Sequence, residues 1–106
     1  MIFALNLYDI IEGKEDVYKE YMKQSIELMD GIDAEPVAAG HKPCKELSGN
    51  TRQHFVVMKF GSMNDFETLM ERQQASDVNK LREDATENYI WTMYEEWDMG
   101  TWLYSE

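Results

Sequence analysis

Cysteine and proline are scarce in this chain. Cys44 is the single cysteine among 106 residues, so no disulfide can form within the chain, and a reducing cytoplasm is the expected location. The sequence has two prolines and six glycines, and it shows neither a low-complexity tract nor a repeat. Since nothing marks a domain boundary, residues 1–106 are predicted to form a single domain.

Positive charge is also scarce. Ten lysine and arginine residues stand against 21 aspartate and glutamate residues, which gives a formal net charge of −11. A surface this acidic repels phosphate backbones and anionic lipids, so neither nucleic acid nor a membrane is expected as a partner. The apolar start, Met1–Leu7, is too short for a membrane span and lacks the basic residues of a signal peptide.

The most uniformly apolar segment of the chain is His54–Phe60. Its density of β-branched and aromatic residues predicts a strand covered on both faces, which belongs in the middle of a sheet. Ile2–Tyr8 alternates imperfectly and predicts a second strand. We expect the helices to cover Phe3, Leu5 and Leu7 of one strand and Val56, Met58 and Phe60 of the other.

Helical periodicity follows each of these strands. An apolar stripe begins at Tyr18 and continues to Ile32, with Glu15 and Asp16 in the first turn and Gly31 placed to end the helix. After the central strand, Ser62 and Asp65 resemble a capping box, and apolar residues then recur at helical spacing. A break at Glu71–Ala75, before a piece that Ser76 can cap, leaves open whether the segment up to Tyr89 forms two helices or one kinked helix.

Two further strands complete the pattern. Ala34–His41 contains Pro36, which cannot donate to a ladder, so this strand is predicted at a sheet edge. Lys42–Arg52 is a loop. Tyr89–Trp97 is rich in aromatic and β-branched residues and predicts the last strand, and Met99–Tyr104 continues beyond it with an unusual amount of aromatic surface.

The order β-α-β-β-α-β predicts an α+β, ferredoxin-like fold with a four-stranded antiparallel sheet and helices on one face. The first and third strands are then central. The uncovered face would carry Ile2, Ala4, Phe55 and Val57, joined by Trp91, Trp97 and Trp102. A monomer rarely exposes so large an apolar surface, so we predict a homodimer whose sheets face each other.

Three segments carry a resemblance to a known superfamily: IFALNLY, VVMKFGSMNDFETL and ASDVNKLREDAT. Together they resemble the dimeric α/β-barrel superfamily, which includes antibiotic-biosynthesis-monooxygenase-like proteins and several uncharacterised bacterial families. The resemblance implies a barrel made of two sheets. It also implies two alternative functions. One is binding of a small, largely apolar molecule, with cofactor-independent monooxygenase or isomerase-type chemistry; the other is a non-catalytic ligand-binding or regulatory dimer.

One branch of this superfamily degrades haem, using an asparagine on the first strand and a tryptophan and an iron-ligating histidine in the second helix. Asn6 matches the asparagine, but Leu69 and Glu83 stand at the other two positions. Haem is therefore not expected. His41 and Cys44 are too few to predict a metal site, so we expect neither a metal nor a cofactor.

The sequence contains no strong catalytic motif. The candidate ligand-binding residues are polar side chains whose position would matter: Asn6, Lys59, Tyr21, Tyr94, Arg82 and His54. Asn6 is expected to point into the barrel, where it donates to a substrate carbonyl or bonds a neighbour or water. Tyr21 and Tyr94 are expected either to orient a ligand or to pack in the core or interface.

The charged candidates also leave alternatives open. Lys59 would pair with a carboxylate such as Glu95 or Glu96, bind an anionic ligand, or hold its ammonium at the barrel mouth. Arg82 is expected to pair with Glu83 or Asp84, with capping of the pocket as the alternative. His54, one of two histidines, is expected at an exposed strand end.

Overall fold

The computed structural model describes residues 1–105. Its elements are β1 Ile2–Ile10, α1 Glu15–Leu28, β2 Ala34–His41, β3 His54–Phe60, α2 Met63–Gln74, α3 Val78–Ala85, β4 Thr86–Glu95 and α4 Met99–Tyr104. The strands form an antiparallel sheet in the order β2-β3-β1-β4. The predicted α+β, ferredoxin-like plan is confirmed, with β1 and β3 central and β2 at an edge. None of the helices within residues 1–105 is long and apolar enough to cross a membrane.

Two helices, rather than one kinked helix, follow β3. The Oγ of Ser62 accepts a hydrogen bond from the Asp65 backbone N–H at 3.3 Å and donates to the Asp65 carboxylate at 2.8 Å, so the predicted capping box is confirmed. Ser76 separates α2 from α3. Its Oγ donates to the Gln73 carbonyl at 3.1 Å and accepts from the Val78 N–H at 3.3 Å. One serine thus satisfies backbone groups at the end of one helix and at the start of the next.

The strand β4 is displaced relative to the prediction. It runs over Thr86–Glu95 rather than Tyr89–Trp97, because α3 already ends at Ala85. Asn88 adopts a φ of +55° where the register between β1 and β4 shifts, and its Nδ2 donates to the Asp9 carboxylate at 2.9 Å. These features form a bulge that the alternation of the sequence does not indicate.

The C-terminal segment forms a short helix, although the sequence pattern indicates only a continuation of the strand. Asp98 caps α4 by accepting from the Thr101 N–H at 3.0 Å and from its Oγ1 at 2.8 Å. Trp97 and Trp102 lie edge to face, with ring centroids 5.2 Å apart, and both are exposed. The aromatic surface expected at this end of the chain is therefore present.

The side of β1 that the helices cover is opposite to the predicted one. The buried residues of this strand are Ala4, Asn6 and Tyr8. The prediction that Phe3, Leu5 and Leu7 lie under the helices, and that Asn6 points away from them, is wrong.

The register of the sheet explains this correction. Ala4 pairs with Met58 and Asn6 pairs with Val56, and directly paired residues of antiparallel strands point to the same face. Because the helices cover Val56 and Met58 as predicted, they also cover Asn6. Trp91 pairs with Asn6 on its other side and shares that face, so the expectation that Trp91 lies on the uncovered face is also wrong.

The core under the helices centres on Ala4, Phe60 and Leu69. The side chain of Phe60 is 2% exposed, and its ring meets that of Phe66 edge to face with centroids 5.4 Å apart. The helices are also tied to each other. Arg72 of α2 donates from Nη1 to the carbonyls of Leu28 at 2.8 Å and Asp30 at 2.7 Å, and so caps the C-terminal end of α1.

The other side of the sheet is an open sheet face with no buried residue. It is formed by Phe3, Leu5, Leu7, Phe55, Val57, Ile90, Thr92 and Tyr94, together with Lys59 and Glu35. Lys59 Nζ lies 2.8 Å from Glu35 Oε1, so Lys59 pairs with a carboxylate, although the partner is neither Glu95 nor Glu96. The reason is that Glu35 stands directly opposite Lys59 in the β2–β3 register.

Candidate functional site

A cavity of about 80 Å³ lies between the sheet and the helices. We call it the helix-side cavity. The sheet contributes Ala4, Asn6, Tyr8, Val56, Met58, Phe60, Tyr89 and Trp91, and the helices contribute Tyr18, Met22, Ser25, Ile26, Met29, Leu69, Met70 and Gln73. Most of this lining is apolar, and four members are methionines, whose flexible thioethers adapt to irregular shapes.

Two polar atoms at the helix-side cavity have no hydrogen-bond partner among residues 1–105. They are Oε1 of Gln73 and Oγ of Ser25, both shielded from solvent. Gln73 is 4% exposed, so its amide oxygen is desolvated without compensation. An unpaired buried acceptor costs about 1–3 kcal/mol, which is why native proteins rarely keep one without a reason.

The amide of Asn6, in contrast, forms its hydrogen bonds with other groups of the protein. Its Nδ2 donates to the Val56 carbonyl at 3.2 Å and lies 3.4 Å from the Ala4 carbonyl. Its Oδ1 accepts from the Tyr89 hydroxyl at 2.7 Å. Asn6 therefore holds the phenol of Tyr89 in place at the wall of the cavity.

A cluster of phenols closes one end of the cavity. The Tyr18 hydroxyl donates to the Tyr8 hydroxyl at 2.5 Å, and the Tyr8 and Tyr89 rings stack with centroids 5.0 Å apart. Burial raises the pKa of all three phenols, most strongly for Tyr18 and Tyr89. They are therefore neutral hydroxyl groups near neutral pH, suited to donating hydrogen bonds rather than to removing protons.

His54 packs against this cluster, whereas the sequence suggests an exposed position at the end of the strand. Its ring stacks on Tyr8 at 5.6 Å between centroids and lies 6.1 Å from the ring of His41. The Nδ1 atom is buried without a partner. Burial, followed by the proximity of His41, lowers the pKa of His54, whereas Asp9 opposes this shift. The imidazole is therefore neutral at neutral pH.

This environment predicts a loss of stability in mild acid. The lowered pKa of His54 means that the unfolded chain binds a proton near the ordinary value of 6.5, while the folded chain binds it only at lower pH. The contribution of His54 is thus fully present above 6.5 and is lost as the pH falls from there through the folded-state pKa. Urea unfolding across this window should show the loss, and His54→Gln should reduce it more than His41→Gln. An unchanged pH dependence in His54→Gln would contradict the assignment.

The other predicted site residues lie in different parts of the structure. Tyr21 is buried beside Tyr18, with ring centroids 5.5 Å apart, but it does not line the cavity. Tyr94 and Lys59 lie on the open sheet face. Asn6 alone of the predicted residues lines the helix-side cavity.

Arg82 packs against aromatic rings rather than against a carboxylate. Its guanidinium carbon lies 5.3 Å from the centroid of Trp91 and 5.8 Å from that of Tyr89, within the range of cation–π interactions. Asp84, one of its two expected partners, pairs with Lys14 at 3.2 Å. The expected ion pair between Arg82 and Asp84 is therefore wrong.

A protein-family model described as Domain of unknown function (DUF1330) matches residues 6–95. The chain belongs to this family. The matched range includes every residue that lines the helix-side cavity except Ala4. None of the curated proteins compared with the chain matches it.

Solved structures share the fold of this DUF1330 chain. A protein of unknown function from Rhodopseudomonas palustris, in methylated form, aligns with a TM-score of 0.79 and 16% identity, over 93% of this chain and 82% of its own. A dimeric protein of unknown function with a ferredoxin-like fold, from Bacteroides fragilis, aligns with a TM-score of 0.59 and 14% identity, over 90% and 95%. A variant of MhuD with two manganese protoporphyrin IX molecules bound per active site gives 0.57 and 12%, over 91% and 94%. Identities this low show a shared fold.

The residues of the DUF1330 chain do not fit a haem. The cavity is far smaller than a porphyrin, and no histidine is among its lining residues in the described range. Glu83, which the sequence resemblance aligned with the iron-ligating histidine, is exposed and lies outside that lining. Across residues 1–105, no three histidine, cysteine, aspartate or glutamate side chains are grouped so that they could hold a metal ion.

Two polar residues that line the cavity of the DUF1330 chain could have been found from the sequence but are not among the residues predicted above. Gln73 follows Phe66, Leu69 and Met70 at helical spacing, so a polar amide continues the buried stripe of α2. Ser25 interrupts the stripe of α1 in the same way. A polar residue within an apolar stripe is a signal for a buried polar site.

Proposed function

We propose that this protein is a homodimer that binds a small, largely apolar molecule in the helix-side cavity. The observation that carries the proposal is the pair of unpaired atoms, Gln73 Oε1 and Ser25 Oγ, at an otherwise apolar cavity. A ligand that supplied the missing hydrogen bond would remove a desolvation cost that the empty protein bears.

The chemistry of the lining defines the class of ligand. Gln73 Oε1 accepts hydrogen bonds, so the ligand should carry a hydroxyl or N–H group. The remaining surface is made of methionine, aliphatic and aromatic side chains, which suits an apolar body of about one ring. A simple phenol meets both requirements.

Binding, rather than proton-transfer catalysis, is the function that this lining supports. Within the described chain the cavity presents no carboxylate, imidazole or amine, and its phenols are held neutral by burial. General acid–base chemistry at neutral pH requires a group that titrates nearby. The protein is therefore proposed as a ligand-binding protein and not as an isomerase-type enzyme.

The homodimer is proposed from the open sheet face. Phe55, Ile90 and Tyr94 are 38%, 40% and 53% exposed on a face whose centre is aliphatic. A contiguous apolar patch of this kind marks an interface, and the ferredoxin-like neighbour from Bacteroides fragilis is dimeric. Sedimentation equilibrium at micromolar concentration should give twice the chain mass of 12.5 kDa, and a species of 12.5 kDa would overturn the proposal.

Replacing Gln73 with methionine tests the binding function. We expect the free energy of unfolding of the ligand-free protein to rise by about 1–3 kcal/mol, because an unpaired buried amide is removed at similar side-chain length. The affinity for para-cresol, a one-ring probe with a hydroxyl donor, should fall by about tenfold. Urea unfolding and isothermal titration calorimetry measure the two effects.

The neighbouring residue supplies a matched control. Gln74→Met makes the same chemical change at an exposed position of the same helix, so it should alter neither quantity. Para-methylanisole, which lacks the hydroxyl proton, should bind both the unmodified protein and Gln73→Met weakly. The proposal fails if para-cresol does not bind, or if Gln73→Met binds it as tightly as the unmodified protein does.

A further inference from the structure

An open groove of about 420 Å³ lies on the outer side of Tyr89 and Trp91. These two rings line both this groove and the helix-side cavity, so they form a wall that the two spaces share. Trp91 is 39% exposed at this wall. Arg82 contacts the wall from the groove side, with its guanidinium over both rings.

Within residues 1–105 the guanidinium of Arg82 has neither a hydrogen-bond partner nor an ion-pair partner, which sets it apart from the other two arginines. Arg52 donates to the Asn88 carbonyl, and Arg72 caps the end of α1. Neither an ion pair nor a side-chain hydrogen bond of Arg82 is present within residues 1–105, although the sequence has 21 acidic residues. Stacking on aromatic rings fixes the guanidinium plane while leaving its N–H groups free to bind a ligand.

We propose that Arg82 binds the carboxylate of the ligand whose apolar body occupies the helix-side cavity. This inference rests on the proposed function and specifies its ligand class: small monocarboxylic acids with an apolar, hydroxylated body. The ligand hydroxyl donates a hydrogen bond to Gln73 inside the cavity. The apolar body extends along Trp91, which borders both spaces, and the carboxylate forms a paired hydrogen bond with the guanidinium.

The remaining charges of the groove refine this specificity. Glu83 and Glu87 also line the groove, and neither approaches Arg82 within 4.0 Å. Their negative field opposes any negative charge on the ligand, so the contact with the guanidinium has to offset it for one carboxylate, and a second negative charge would have no cation of its own among the described residues of the groove. A single carboxylate is therefore accepted, while dicarboxylates and phosphate esters are disfavoured.

The test compares two probes that differ in the carboxylate. Para-hydroxyphenylpropanoate and para-ethylphenol share the ring and the hydroxyl group, and calorimetry measures both on the full chain. The unmodified protein should bind the acid at least tenfold more tightly than the phenol, and added salt should reduce this preference. Arg82→Gln should abolish the preference, measured as the ratio of the two affinities within each protein, and Arg82→Lys should keep part of it.

Lys80→Gln is the matched control, because it removes one positive charge from the exposed side of the same helix. It should retain the full preference for the acid. Equal binding of the two probes by the unmodified protein, or an unchanged preference in Arg82→Gln, would overturn the assignment of Arg82 and leave the proposed function intact. Failure of both probes to bind would overturn the proposed function as well. Circular dichroism confirms that each variant is folded.

Discussion

Val57→Asp is expected to convert the proposed homodimer into a monomer. Val57 lies at the centre of the open sheet face, opposite Leu5 on β1 and Ala38 on β2. A dimer formed through this face would bury the new carboxylate without a partner, and two-fold symmetry would do so twice. An unpaired buried charge costs roughly 3–5 kcal/mol, so the dissociation constant should rise by about 100-fold or more.

Sedimentation equilibrium over a range of concentrations measures this change. Ser48→Asp adds the same charge in an exposed loop and should leave the dimer intact. The isolated fold should persist in Val57→Asp, because the helices cover the opposite side of the sheet and far-ultraviolet circular dichroism reports their content. A Val57→Asp protein that remained fully dimeric would show that the sheets do not face each other.

Phe60→Ala is expected to cause the largest loss of stability of any single change considered. The ring is 2% exposed in the core, and truncation would leave a void between the sheet and α2. The free energy of unfolding should fall by about 3–5 kcal/mol, a large part of what a domain of this size possesses. Urea unfolding at fixed protein concentration measures the loss.

The same strand provides the comparison. Phe55 has the same side chain on the open sheet face, where its ring lies against Gly40 and a Cβ at that glycine would collide with it. Phe55→Ala should weaken dimerisation, and its effect on the unfolding midpoint should therefore depend on protein concentration. The effect of Phe60→Ala should not depend on concentration in that way. The reverse pattern would mean that the faces of β3 are assigned incorrectly.

The sequence was sufficient for the β-α-β-β-α-β plan and for the central strands, because these depend on periodicity and on the apolar density of His54–Phe60; it did not indicate α4 or decide between one and two helices after β3. It was insufficient for the face of β1. Both sides of Ile2–Tyr8 are mostly apolar, and the wholly apolar set of Phe3, Leu5 and Leu7 suggested the side under the helices. The choice depends on the register with β3, in which Asn6 stands opposite Val56. No local pattern contains that information.

The candidate site was partly predictable for similar reasons. Asn6 was identified as a functional residue, but its role of holding Tyr89 depends on the bulge at Asn88, which places that phenol over the cavity. The position of Arg82 over Trp91 likewise depends on where α3 ends and β4 begins. The single domain and the cytoplasmic location remain predictions.

The cap that Arg72 forms on the end of α1 also links the two helices, α1 and α2, that line the helix-side cavity. The two hydrogen bonds from Arg72, to the carbonyls of Leu28 and Asp30, join α2 to the C-terminal end of α1. Charge-assisted bonds of this kind resist separation of the two helices. Any separation of α1 from α2 should therefore be smallest at the C-terminal end of α1, where Arg72 holds it.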